Sequence, residues 1–199
     1  MTRTRRDAGR LVSTLVAVLA AVVINSPLPL ARSTPAPTSG ETAAPSGGSD
    51  EVAIAALRRR DLRVPIDGTD VERLKGMFTA PRGDSLAHEA VDILAPRDTP
   101  IRAVGDGTIA KLFTSQAGGL TIYQFDPAQR FCYYYAHLER YATDLVDGQG
   151  VTRGEVIGFV GTSGNAPPNT PHLHFAIFEL GADHSWWSGR PIDPYLVLK

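Results

Sequence analysis

Residues 172–179 read His-Leu-His-Phe-Ala-Ile-Phe-Glu. In a β-strand, side chains two residues apart share a face, so His172 and His174 project together while Leu173 and Phe175 turn the other way. One segment therefore offers an apolar face to a core and a pair of imidazoles to a site. Working outward from it, residues 62–199 show the same texture: short runs rich in Val, Ile, Phe and Tyr, broken by Gly, Pro and Asp. The strands predicted besides 172–179 are 91–94, 108–113, 120–125, 131–136 and 156–160. The breaks hold Gly105-Asp106-Gly107, Gly118-Gly119, Asp147-Gly148 and the segment Gly161 to Pro171. Links this short favour antiparallel neighbours, because a parallel crossover needs a dozen or more residues. The expected architecture is mainly β: a compact antiparallel sheet, partly rolled or sandwiched.

The first third of the chain is different. Arg3, Arg5, Arg6 and Arg10 precede an apolar run from Leu11 to Ile24, stopped by Pro27 and Pro29. Fourteen residues reach roughly 21 Å as a helix, short of a ~30 Å hydrocarbon core, so the pattern is that of a signal peptide over residues 1–33. An uncleaved anchor in the inner membrane through residues 11–24 is the alternative. Both place the bulk of the protein outside the cytoplasm, in the periplasm, cell envelope or medium. Residues 34–61 form a Pro/Ser/Gly-rich linker that ends in a short helix over 51–60, with Ile54 and Leu57 on one face and Arg58 to Arg60 solvated.

Composition narrows the chemistry. With 199 residues, a formal charge of -1 and charged residues at 21%, the chain lacks the basic footprint of a nucleic-acid binder. One cysteine, Cys132, excludes an intrachain disulfide framework and multi-cysteine metal sites, so a bound metal must rest on nitrogen and oxygen.

Four of the five histidines stand in readable patterns: His88 with Asp92 in His-Glu-Ala-Val-Asp, His137 in Tyr-Ala-His-Leu, and the pair His172 and His174. If the approach to Asp92 is extended, His88, Ala90 and Asp92 lie on one side, with a small residue between the polar ones. Two neutral nitrogens and one carboxylate suit tetrahedral zinc with a fourth position left for water. Such a site is hydrolytic by default, since zinc acidifies water and polarises carbonyls. Two histidines would remain for proton transfer and oxyanion stabilisation. Each pattern alone has a plainer reading, as a surface pair or a half-buried structural histidine. Their combination in one short β domain favours a site.

These motifs, in this order, resemble peptidase family M23, the lysostaphin-type or LytM-type zinc metallopeptidases, over roughly residues 62–198. The resemblance rests on His88-Glu-Ala-Val-Asp92-Ile, Ala95-Pro96-Arg97-Asp98-Thr99-Pro100-Ile101, Gly105-Asp106-Gly107-Thr108-Ile109, Tyr135-Ala136-His137-Leu138, Gly154-Glu155-Val156-Ile157-Gly158, Gly161-Thr162-Ser163-Gly164-Asn165 and Pro171-His172-Leu173-His174-Phe175. It implies His88, Asp92 and His174 as Zn2+ ligands, with His137 and His172 as catalytic histidines whose roles stay interchangeable. It also implies peptide bonds of peptidoglycan stem peptides or cross-bridges as substrate. Ala90 and Asp98 stand where the family commonly has Gly, and Asp98 raises a question of turn geometry.

Further residues carry weaker signals. Arg82, ahead of the metal motif, is a candidate contact for a substrate carboxylate, against a solvated turn residue. Tyr135 shares strand parity with Tyr133 and His137 and is a candidate for the cleft wall, against packing in the core. His184 and Trp186-Trp187 fall in a late loop, either a substrate rim or a packed lid. Gly158, Gly161 and Gly164 are spaced like a phosphate loop but lack its Lys-Ser or Lys-Thr, so they read as turns. Two rival functions remain on sequence grounds: a non-catalytic LytM-like module that binds peptidoglycan or activates a partner hydrolase, and a cysteine peptidase built on Cys132.

Overall fold

The structure is a computed structural model that describes residues 47–82 and 86–199. The predicted leader and the first part of the linker lie outside the described residues. Among the described residues no helix is long and apolar enough to cross a membrane.

Eleven strands occur among the described residues, and all their pairings are antiparallel. They are β1 (Pro81–Arg82), β2 (Leu86–Ala87), β3 (Val91–Leu94), β4 (Pro100–Arg102), β5 (Gly107–Ser115), β6 (Gly119–Phe125), β7 (Phe131–Tyr141), β8 (Gly150–Val151), β9 (Val156–Val160), β10 (His172–Glu179) and β11 (Arg190–Ile192). β1 and β2 form a hairpin of their own, and the other nine make one sheet whose main path runs β11-β10-β7-β6-β5-β8. β3 joins on β10, while β9 joins β7 and carries β4.

The three predicted strands at 91–94, 156–160 and 172–179 have the predicted ends, and those at 108–113, 120–125 and 131–136 run longer. The strands that the sequence concealed are two or three residues long, and β4 and β11 contain proline. So short a run carries no period, and proline removes a ladder donor.

β7 organises the sheet. Its first half pairs with β10 and its last residues with β9, so the strand bends from one neighbour to another. The bend coincides with a register shift against β6, where Leu120 faces Leu138 but Ile122 faces Tyr135. One extra residue on β7 makes this a β-bulge, which reaims the side chains that follow it.

The core lies on the face opposite the histidines of β10 and contains Ile122, Tyr133, Tyr135, Leu173, Phe175 and Ile177, all without exposed surface. Helix α1 (Gly47–Arg58) contributes Ala53, Ala56 and Leu57 to that core, followed by Leu62 and Ile66. The folded unit thus includes the helix that sequence assigned to the linker. Nor is Arg60 solvated, as its sequence context implied. It donates Nε and Nη2 to Asp126 Oδ2 at 2.9 and 2.5 Å and stacks over Phe131, with its guanidinium carbon 4.7 Å from the ring centre.

Candidate metal centre and catalytic histidines

β3 and β10 are paired with His174 directly opposite Asp92 and with His172 opposite Leu94. Directly opposed residues project from the same face of a sheet, so a carboxylate and two imidazoles meet by strand register. His88 arrives differently. Residues 88–90 are not part of a strand, and Glu89 has φ 53, so the extended parity predicted for His88, Ala90 and Asp92 does not hold. A left-handed kink at Glu89 instead folds His88 back, braced by backbone bonds from His88 N to Ala80 O and from Glu89 N to Phe78 O. Ala90 is buried beneath this kink.

The resulting triad is tight. His174 Nδ1 lies 2.9 Å from Asp92 Oδ1, His88 Nε2 lies 3.1 Å from the same oxygen, and the two nitrogens are 3.2 Å apart. The edge of a tetrahedron around an ion with ligands at about 2.0–2.1 Å is about 3.3 Å. The three spacings fall just inside it, so the donor set can share one small divalent cation. Burial pushes the Asp92 carboxyl up, but hydrogen bonds and charge from His174 and His88 override this and hold it below the usual carboxylate range. It is therefore an anion ready to coordinate.

His137 and His172 stand beside this group, with ring centres 4.9 Å apart and His137 5.7 Å from His174. Each is oriented the same way: Nδ1 of His137 lies 2.8 Å from Ser163 O, and Nδ1 of His172 lies 2.8 Å from Thr170 O. A carbonyl only accepts, so Nδ1 carries the proton in both and Nε2 is left as the basic nitrogen. His172 Nε2 is 4.0 Å from Asp92 Oδ1. Desolvation lowers the His137 pKa to about 4 despite the opposing Ser163 carbonyl, with the neighbouring imidazoles His172 and His174 adding to the drop. His137 is neutral at pH 7 and able to accept a proton.

An open cavity of about 340 Å³ adjoins these groups, lined by Asp92, Leu94, His137, Asn165, Ala166, Pro167, Thr170 and His172. Several of these escaped the sequence reading. Leu94 is 71% exposed and shares strand parity with Asp92, a signal that was available. Asn165 to Thr170 sit in a stretch whose Gly and Pro content announced only turns.

Other predicted residues fall elsewhere. Tyr135 has no exposed surface, donates its hydroxyl to Gln124 Oε1 at 2.7 Å and accepts from Val104 N at 3.1 Å. It belongs to the core, because the β7 bulge lies between it and His137 and breaks their shared parity. Tyr134 takes the cleft side, its ring edge-on to His174 with centres 6.1 Å apart. Arg82 has its backbone in β1, and its side chain lies outside the described residues. Cys132 is buried, and burial pushes its thiol pKa upward, which leaves it no thiolate for nucleophilic attack. Asp98 does adopt the left-handed conformation in question, with φ 65, which Asp tolerates better than most residues.

Comparison with known proteins agrees with this geometry. The profile of Peptidase family M23 matches residues 86–194. The chain is 33% identical over 122 residues to an L-Ala–D-Glu endopeptidase of Bacillus subtilis, covering 59% of this chain and 36% of that protein. It is 32% identical over 131 residues to the peptidoglycan DD-endopeptidase ShyC of Vibrio cholerae, covering 63% and 28%. The matched region thus spans about a third of the length of these relatives. The catalytic domain of lysostaphin from Staphylococcus simulans superposes with a TM-score of 0.52 at 27% identity, over 63% of this chain and 94% of that domain. With the family profile spanning more than half of the sequence and a lysostaphin-type sheet beneath the histidine cluster, the chain belongs to peptidase family M23.

Proposed function

We propose that this protein is a zinc-dependent endopeptidase that hydrolyses peptide bonds in peptidoglycan stem peptides or cross-bridges, exported to the cell envelope. The observation that carries the reading is the convergence of three donor atoms from separate segments within 2.9–3.2 Å of one another, beside two histidines with anchored Nδ1 protons. The substrate class rests on the relatives, one named for an L-Ala–D-Glu bond and the other for peptidoglycan. Export rests on the basic and apolar leader of the sequence and on where peptidoglycan lies.

His88, Asp92 and His174 would hold the ion. When bound, zinc supplies Lewis acidity, polarising a carbonyl and lowering the pKa of water toward ~7. The protein's own groups do the rest. His137 and His172 present Nε2 to the cleft, one to donate a hydrogen bond to the developing oxyanion, on a proton taken up from solvent, and the other to accept the proton of the attacking water. The proton then passes to the leaving amine. Their Nδ1 bonds to Ser163 O and Thr170 O fix ring orientation throughout, so little reorganisation accompanies the reaction. The cavity lined in part by Leu94, Ala166 and Pro167 lies beside these histidines and would receive the peptide.

Exchange of His88 or His174 for Ala removes one of three protein donors. The expected result is loss of stoichiometric zinc and at least a thousandfold loss of cleavage of purified peptidoglycan, read by metal analysis and by mass spectrometry of released fragments. Chelation should silence the wild type and added zinc restore it. Full hydrolysis by either variant, or by chelated protein, overturns the assignment.

A further inference from the structure

Beyond the metal-ligand cluster, the site face of the sheet carries a chain of aromatic rings. The register sets Tyr134 of β7 opposite Ala176 of β10 and Tyr123 of β6, so these side chains share the face of His174. From His174 the steps between ring centres are 6.1 Å to Tyr134, 4.7 Å to Tyr123, 4.7 Å to Trp186 and 5.1 Å to Trp187. Phe113 of β5 adds a branch, 5.3 Å from Trp186. The core lies on the other side of the sheet and does not use these rings. At the far end Trp187 is 59% exposed and Phe113 40% exposed, while Trp186 is half-buried.

Exposed aromatic rings linked in series to His174 of the donor cluster offer a surface to an occupant. Two rings in the open make too small a patch for a stable protein interface, which buries more than about 1,000 Å². They match one or two pyranose rings, whose faces present polarised C–H groups to the negative face of an indole or phenyl ring. The loop that carries the indoles is otherwise polar: Ser185 donates to the Asp183 carboxylate, His184 Nδ1 lies 2.7 Å from Gln129 O, and Ser188 is exposed.

Distance points the same way. The ring-to-ring path from His174 to Trp187 is at most about 21 Å, the reach of about six extended residues. In peptidoglycan a stem peptide joins its sugar within a few residues of the bonds that endopeptidases cut. A peptide lying along the ring path would deliver its sugar to Trp187.

We propose that Phe113, Trp186 and Trp187 form a sugar-binding platform that receives N-acetylated amino sugars of the glycan strand while its peptide occupies the cleft. This inference rests on the peptidoglycan reading above, but its test does not depend on hydrolysis. The probe is the tetramer of N-acetylglucosamine, titrated into the full chain by calorimetry. Saturable binding is expected, weakened about tenfold in Trp187→Ala and partly recovered in Trp187→Phe, which restores a stacking ring. Protein stripped with chelator should bind equally well, because no donor of the metal cluster belongs to the platform. Absence of saturable binding by the wild type, or unchanged affinity in Trp187→Ala, overturns the platform. Sugar binding without any peptidoglycan cleavage would leave the platform standing and remove the peptidase.

Discussion

His137 has φ 62 at the β7 bulge, a conformation that costs a non-glycine residue of order 1–3 kcal/mol and persists only when its surroundings enforce it. Here they do: His137 N donates to Gly118 O at 2.8 Å and its Nδ1 meets Ser163 O at the same distance. The strained residue is thereby aimed into the cleft while its neighbour Tyr135 is sent to the core. Two predictions follow at this scale. His137→Ala should keep zinc, since His137 is not among the three close donors, yet lose cleavage by at least a hundredfold, a split that metal analysis and kinetics would show. Tyr135→Phe deletes a hydroxyl that serves Val104 N–H and Gln124 in the buried interior. Stability should fall by about 1–3 kcal/mol in urea denaturation, while zinc content and kcat of the folded fraction stay near wild type.

The elements that frame the cleft are locked to each other through glycine. The start of β6 and the loop after β9 touch at Gly119 and Gly164, both in the left-handed region with φ 65 and 75. A Cβ on Gly119 would collide with Ser163, and one on Gly164 with Ala117 and Gly119, so neither position has room for a side chain. The contact is also bonded: Asn165 N donates to Ala117 O at 2.9 Å, Leu120 N to Ser163 Oγ at 3.0 Å, and Ser163 Oγ to Leu138 O at 2.6 Å. Because Ser163 O orients His137, the lock sets the orientation of that imidazole. Gly164→Ala should push the two loops apart and lower kcat by about ten- to a hundredfold with zinc retained. Wild-type kcat in this variant would mean that the loops do not position His137.

Across the whole molecule, the turn after α1 and the turn between β6 and β7 are tied by the Arg60–Asp126 pair. Asp126 is buried and accepts from Arg60, from Arg130 N and from Phe131 N, both backbone bonds at 2.7 Å. Removing the carboxylate strands a guanidinium and two amides at once. Asp126→Ala is expected to cost about 3 kcal/mol, the low end for a broken buried pair because Arg60 is a quarter exposed. Thermal unfolding would read it, and the variant should still bind zinc at temperatures where it is folded, the pair being remote from the donor cluster.

Much of this molecule was legible in the order of its residues. Alternation in 172–179 gave a strand with two imidazoles on one face, because the side-chain period of a strand is local geometry. Short Gly- and Asp-rich links gave the antiparallel sheet, and the donor types at 88, 92 and 174 gave the metal preference. Other features depend on partners distant in the chain. The positive φ of Glu89 that brings His88 to Asp92, and the bulge that parts Tyr135 from His137, are held by bonds to Phe78, Gly118 and Ser163. No local pattern encodes these contacts. The sequence likewise put helix α1 in the linker, whereas Leu57 packs into the core and Arg60, just past the helix, bonds Asp126. Periodicity and side-chain chemistry are properties of the chain, whereas register, bulges and long-range bonds arise only when its distant parts pack together.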